Sequence, residues 1–118
     1  MKNIIFILVS FLLGISLSGH LYAQKLSTNP HFNAPKVIIY GRDSCPFTAN
    51  MKKELSRAKI KYDYKIIDLE EVKQAIYPRM KSRGLPTQHI TLPIVEVSDD
   101  IVIHPKPTEV IDMYLFAE

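Results

Sequence analysis

The sequence predicts an α/β domain: a central four-stranded mixed sheet flanked by helices, its elements running β-α-β-α-β-β-α. Three features of the 118-residue chain point there. A buried-type strand, a helical segment and an alternating strand follow one another within about 30 residues, the span of a right-handed crossover unit with parallel strands. Further on, two apolar runs face each other across Ser98-Asp99-Asp100, the pattern of an antiparallel hairpin. A last helical segment then has a sheet face to cover.

Taken in order, the chain opens with a segment that does not belong to this domain. Met1-Lys2-Asn3 gives a short positive start, Ile4 to Leu17 an apolar run, and Leu21-Tyr22-Ala23 a small-residue cleavage site before Gln24. That is the build of a secretory signal peptide, residues 1–23, and the run is shorter than the roughly 20 residues that cross a bilayer. The expectation is an exported protein, periplasmic or secreted, cleaved near Ala23 and without membrane attachment afterwards. Residues 24–35, with their Ser, Thr, Asn and Pro, read as a linker, and 36–118 as the domain.

Lys36 to Tyr40, bounded by Pro35 and Gly41, is a β-branched apolar run that fits a buried strand. From Pro46 the period turns helical: Phe47, Met51 and Leu55 share a face, with Ala58 close to it. Proline suits the first helical position, where its missing N–H would have no partner. Tyr62 to Ile67 alternates as a second strand. Leu69, Val72, Ile76 and Met80 mark a second helix, with Gly84 as its C-terminal cap and a break expected near Tyr77 ahead of Pro78. Gly84 to His89 is a loop. Ile94–Val97 and Ile101–His104 form the hairpin, and Thr108 is the expected N-cap of a last helix burying Val110, Ile111, Tyr114 and Leu115.

Composition narrows the function. The net charge of +3 comes from lysines scattered over amphipathic segments, with no dense basic block and interleaved aromatics, so nucleic acid is not expected as a partner. Paired catalytic carboxylates, phosphate-binding glycine loops and metal-ligand spacings are not evident, and no metal or tightly bound cofactor is expected. The chain has a single cysteine, Cys45. In an exported protein a leftover cysteine points to a free reactive thiol or to a bond between two chains, so a monomer and a Cys45-linked dimer both stay open.

The surroundings of Cys45 favour reactivity. It ends the loop after the first strand and caps a helix that Pro46 opens, so free N–H groups and the positive end of the helix dipole face its sulfur. Such cysteines ionise well below the ~8.5 of a free thiol. Arg42 adds positive charge, and Thr48 brings a hydroxyl to the first turn. A second mark is Thr91-Leu92-Pro93, where a proline opens a strand at a forced turn, a place for a cis bond. Leu92 would then offer its N–H and C=O to an extended peptide.

The stretch Arg42-Asp43-Ser44-Cys45-Pro46-Phe47-Thr48, followed by Thr91-Leu92-Pro93, resembles the glutaredoxin family of the thioredoxin fold over about Lys36 to Glu118. The Cys-Pro-Phe-Thr tetrad is similar to the family's Cys-Pro-Tyr-Cys with the second cysteine replaced. The resemblance implies a thiol–disulfide oxidoreductase with Cys45 as nucleophile and Thr48 in the resolving cysteine's place, which leaves a monothiol route. It implies glutathione as cosubstrate, and glutathionylated or disulfide-bonded proteins as partners. Arg42, Pro46, Phe47, Thr91, Leu92 and Pro93 would line its site. Where the family carries Gly-Gly and an acidic residue, this chain has His104-Pro105-Lys106-Pro107-Thr108, leaving Thr108 and its helix N-terminus to receive a carboxylate. The other reading is a binding module of the same fold that holds a peptide or protein in the Pro93 groove without turnover.

Overall fold

The structure is a computed structural model that describes residues 33–117. The leader expected at 1–23 and most of the linker at 24–35 lie outside the described residues. Ala34–Glu118 forms one compact unit. Its elements are β1 (Val37–Gly41), α1 (Pro46–Arg57), β2 (Asp63–Ile66), α2 (Glu70–Ser82), β3 (Ile94–Val97), β4 (Asp100–Ile103) and α3 (Pro107–Phe116). This is the expected β-α-β-α-β-β-α order.

The sheet runs β2-β1-β3-β4, with β1 parallel to β2 and antiparallel to β3. β1 is therefore interior, and all five of its residues are buried, as its unbroken apolar run requires. Alternation along β1 and β3 sorts the core into two layers. Val37, Ile39, Val95 and Val97 pack with Met51 and Leu55 of α1 and Val110 of α3. Ile38, Tyr40 and Ile94 face the other way, onto Val72, Ile76 and Met80 of α2. Thus α1 and α3 cover one face and α2 the other.

Several boundaries differ from the sequence expectation. α2 does not break near Tyr77; Pro78 lies inside one continuous helix of 13 residues. Val72 and Ile76 before the proline and Met80 after it are all buried against the sheet, so packing keeps both halves in one helix. α2 ends as expected on Gly84, at φ +71°: the Gly84 N–H donates to the Lys81 carbonyl (3.1 Å) and the Leu85 N–H to that of Met80 (2.9 Å). On α1 the buried residues are Thr48, Met51 and Leu55, whereas Phe47 is 57% exposed and Ala58 is also exposed. The N-cap of α3 is Lys106 rather than Thr108, and Leu115, expected in the core, is 64% exposed. There the Lys106 N–H donates to Glu109 Oε2 (2.7 Å), so the first turn is closed without a threonine cap.

One polar group lies within the α2 layer. Glu96 of β3 is 4% exposed; it accepts from the Tyr40 hydroxyl (3.0 Å) and from both terminal nitrogens of Arg79. Burial raises the Glu96 carboxyl, but Arg79 and Tyr40 outweigh it and hold the group below the ordinary carboxylate range.

Candidate active site

β1 delivers the site to the rim of the sheet. Beyond Gly41 the chain turns through Arg42-Asp43-Ser44, and the Cys45 N–H closes the turn by donating to the Arg42 carbonyl (3.0 Å). Asp43 anchors this loop: its Oδ1 accepts from the Tyr64 hydroxyl (2.8 Å) and lies 3.7 Å from Lys52 Nζ. Lys52 Nζ also stands 3.3 Å from the Tyr64 ring centroid, a cation–π contact tying α1 to β2. Burial and the Asp43 carboxylate push the Tyr64 phenol up to about 12, so it remains a donor at neutral pH.

Cys45 is the N-cap of α1, extended at φ −87° and ψ 119°, with Pro46 as the first helical residue. Its thiol is free and half-buried. Burial raises the thiol, but the Thr48 N–H and hydroxyl, the Phe47 N–H and the Arg42 charge together bring it below the ordinary value. Thr48 is 1% exposed, and its hydroxyl accepts from the Arg42 N–H (3.5 Å). It is wedged against the end of β1, where a Cβ on Gly41 would collide with its methyl and hydroxyl. Glycine is required there by close approach alone. The hydroxyl is thereby fixed toward the sulfur.

A cavity of about 390 Å³ opens beside Cys45. Arg42, Ser44 and Cys45 form one wall; Asp68 comes from the turn between β2 and α2, and Lys73 and Tyr77 from α2 itself; Thr87, His89, Ile90 and Leu92 come from the loop before β3. Arg42 donates to Asp68 through two nitrogens, Nε to Oδ2 and Nη2 to Oδ1, each at 2.7 Å. That pairing keeps the Asp68 carboxyl below its usual range, against desolvation. Arg42 thus spends its fork on Asp68 and acts on Cys45 only through its field. Lys73, also on the cavity wall, forms no ion pair among the described residues.

A second cavity of about 400 Å³ is lined by Phe47, Asn50, Pro93, His104, Lys106 and Glu109 among others. The Leu92–Pro93 bond is cis. The expected residues therefore divide. Arg42, Cys45 and Leu92 share the first cavity, Phe47 and Pro93 the second, and Thr48 backs the thiol from the interior. Pro46, Thr91 and Thr108 line neither. Asp68, Lys73, Tyr77, Thr87 and His89 were not anticipated, because they reach the site from the turn before α2, from α2 and from a loop, all distant from Cys45 in sequence. Among the described residues, no group of three or more His, Cys, Asp and Glu side chains is placed to hold a metal ion.

The geometry agrees with comparisons to known proteins. The Glutaredoxin family model matches residues 37–102. Among solved structures, glutaredoxin 1 from Francisella tularensis, complexed with cacodylate, is 26% identical. That match covers 70% of this chain and 98% of that one at a TM-score of 0.51. The glutaredoxin (grx-1) of Archaeoglobus fulgidus, 18% identical, shares the fold at a TM-score of 0.53, over 77% of this chain and 100% of that one. No curated protein matches the sequence. The matched span runs from β1 through the Cys45 loop and both hairpin strands, and the chain belongs to the glutaredoxin family.

Proposed function

We propose that the protein is an exported monothiol oxidoreductase that removes glutathione from mixed disulfides through Cys45. A thiol–disulfide oxidoreductase in kind follows from the family; the monothiol route, the glutathione dependence and the export are our reading. The observation that carries it is a lone thiol, stabilised as thiolate by Thr48 and Phe47, opening onto a cavity whose wall carries Lys73 and Arg42. Glutathione is an extended tripeptide with two carboxylates and one amine. A cavity with an unpaired Lys73 and with Thr87 and Leu92 on its loop side suits such a ligand. The leader-like Met1–Ala23 segment supports export.

The reaction runs in two exchanges. The Cys45 thiolate attacks the glutathionyl sulfur of a protein–glutathione disulfide; the Cys45–glutathione bond forms, the original S–S bond breaks, and the target leaves as a thiolate that takes a proton. A glutathione thiolate then attacks the glutathionyl sulfur on Cys45. Oxidised glutathione departs and the Cys45 thiolate returns with the electron pair. Thr48 cannot compete as a resolving nucleophile, because a buried hydroxyl does not ionise at neutral pH. Turnover of a glutathionylated peptide with added glutathione, present in the protein and abolished in Cys45→Ser, is the expected result. Equal rates for the two would overturn the reading.

A further inference from the structure

Leu92 is half-buried on the wall of the Cys45 cavity, just ahead of β3. Its N–H has no backbone partner among the described residues. Its carbonyl does: His104 Nδ1 lies 2.9 Å from Leu92 O. The acceptor is a carbonyl, so Nδ1 carries the proton, in the neutral δ-tautomer and in the imidazolium alike. The residue is held at two further points. The His104 backbone N–H donates to the Pro93 carbonyl (2.8 Å), and the imidazole meets Phe47 edge to face, with centroids 4.8 Å apart at 86°. His104 adopts φ +51°, a left-handed conformation that costs a non-glycine residue energy, and this backbone turn aims the ring back at Leu92.

We infer that His104 is a specificity-determining residue, whose imidazole occupies the carbonyl half of Leu92's peptide-pairing edge and disfavours thiol compounds that need it. The inference rests on the proposed use of the Cys45 cavity for a peptidic thiol. An extended peptide beside Leu92 forms two main-chain bonds: its C=O accepts from the Leu92 N–H, and its N–H donates to the Leu92 C=O. With His104 in place the first is open, and the second has to share the carbonyl oxygen with the imidazole N–H. A ligand with an amide N–H there displaces the imidazole or settles for a shared, weaker bond; a ligand without one loses nothing. His104 lies on the exposed rim between Leu92, which lines the first cavity, and Pro93, which lines the second, so the ring has solvent to swing into.

The test is a binding titration in Cys45→Ser protein, followed at the Leu92 amide by NMR. The probes are S-methylglutathione and its analogue N-methylated at the cysteinyl amide. Adding His104→Ala is expected to tighten S-methylglutathione by about 3- to 10-fold, the worth of one recovered hydrogen bond. The N-methylated analogue, which cannot donate, is expected to change less than about 2-fold. His104→Gly, which relieves the positive φ, is expected to behave as His104→Ala does. Unchanged or weaker affinity for S-methylglutathione in both variants overturns the inference, and so does an equal gain for the N-methylated analogue, which would mark a merely structural effect. Glutathione transfer by the unaltered chain is measured in parallel. Tighter binding without transfer sinks the proposed function and leaves the inference standing, whereas transfer without tighter binding does the reverse.

Discussion

At the residue scale, the chemistry of Cys45 depends on Thr48 more than on the nearby charge. Arg42 is held by Asp68, and its effect on the thiol is weaker than those of the Thr48 N–H and hydroxyl. Thr48→Val keeps the volume, removes the hydroxyl and leaves the backbone N–H in place. It is expected to raise the thiol pKa and slow alkylation of Cys45 at neutral pH by roughly 3- to 10-fold, since one hydrogen bond to the thiolate is lost. The pH profile of alkylation with iodoacetamide checks this, and an unshifted profile would remove Thr48 from the account. Gly41→Ala acts on the same bond from the opposite side. The new methyl forces Thr48 out of its buried place, so both stability and thiolate character are expected to fall. Urea unfolding and the same alkylation profile read the two effects.

At the element scale, the strand–loop–helix around Cys45 was legible because all its signals are local. An apolar run bounded by Pro35 and Gly41, then Pro46 at a helix start, fixed β1, the loop and the N-cap without distant residues. Helix ends were harder to read. α1 closes through Lys59 at φ +58°, with the Lys59 N–H donating to Ser56 O (3.1 Å) and the Ile60 N–H to Leu55 O (2.9 Å). The same closure at Gly84 could be seen in advance because glycine marks it, whereas lysine does not. Lys59→Gly is therefore expected to stabilise the protein by about 0.5–1 kcal/mol, as a shift in the urea midpoint at constant slope. Pro78 misled in the opposite direction. Its local cost is real, but buried neighbours on both sides keep α2 whole. Likewise, the i, i+4, i+8 spacing of Phe47, Met51 and Leu55 set Phe47 on one face with the two core residues. The helix instead turns Thr48 inward, packed directly against Gly41 at the end of β1.

At the scale of the whole molecule, the residues missed by sequence reading are those that tertiary structure brings together. Asp68 comes from the turn before α2, Lys73 and Tyr77 from α2, His89 from the following loop, and His104 from the end of the hairpin; no spacing connects them to Cys45. Glu96 is the clearest example in the core. Within Ile94-Val95-Glu96-Val97 it breaks an apolar strand, and only the fold supplies Tyr40 and Arg79 as partners. Its folded pKa is depressed, so the stability it contributes is present above the unfolded carboxylate range and is lost as pH falls through the folded value. Glu96→Gln is expected to lower stability at neutral pH by about 1–3 kcal/mol and to flatten the acid limb of a stability–pH profile. An unchanged acid limb would assign the acid sensitivity elsewhere. Tyr40 carries the opposite sign: burial and Glu96 raise it to about 12, so its contribution holds below about 10 and fades as pH rises from there to about 12.

Whether Cys45 works as a nucleophile toward glutathione disulfides is read from the intact mass of the protein after brief mixing with a glutathionylated peptide. One glutathionyl group is expected on the chain, located at Cys45, lost again when glutathione is added, and never formed by Cys45→Ser. A folded protein whose Cys45 keeps its unmodified mass while the peptide stays glutathionylated would contradict it.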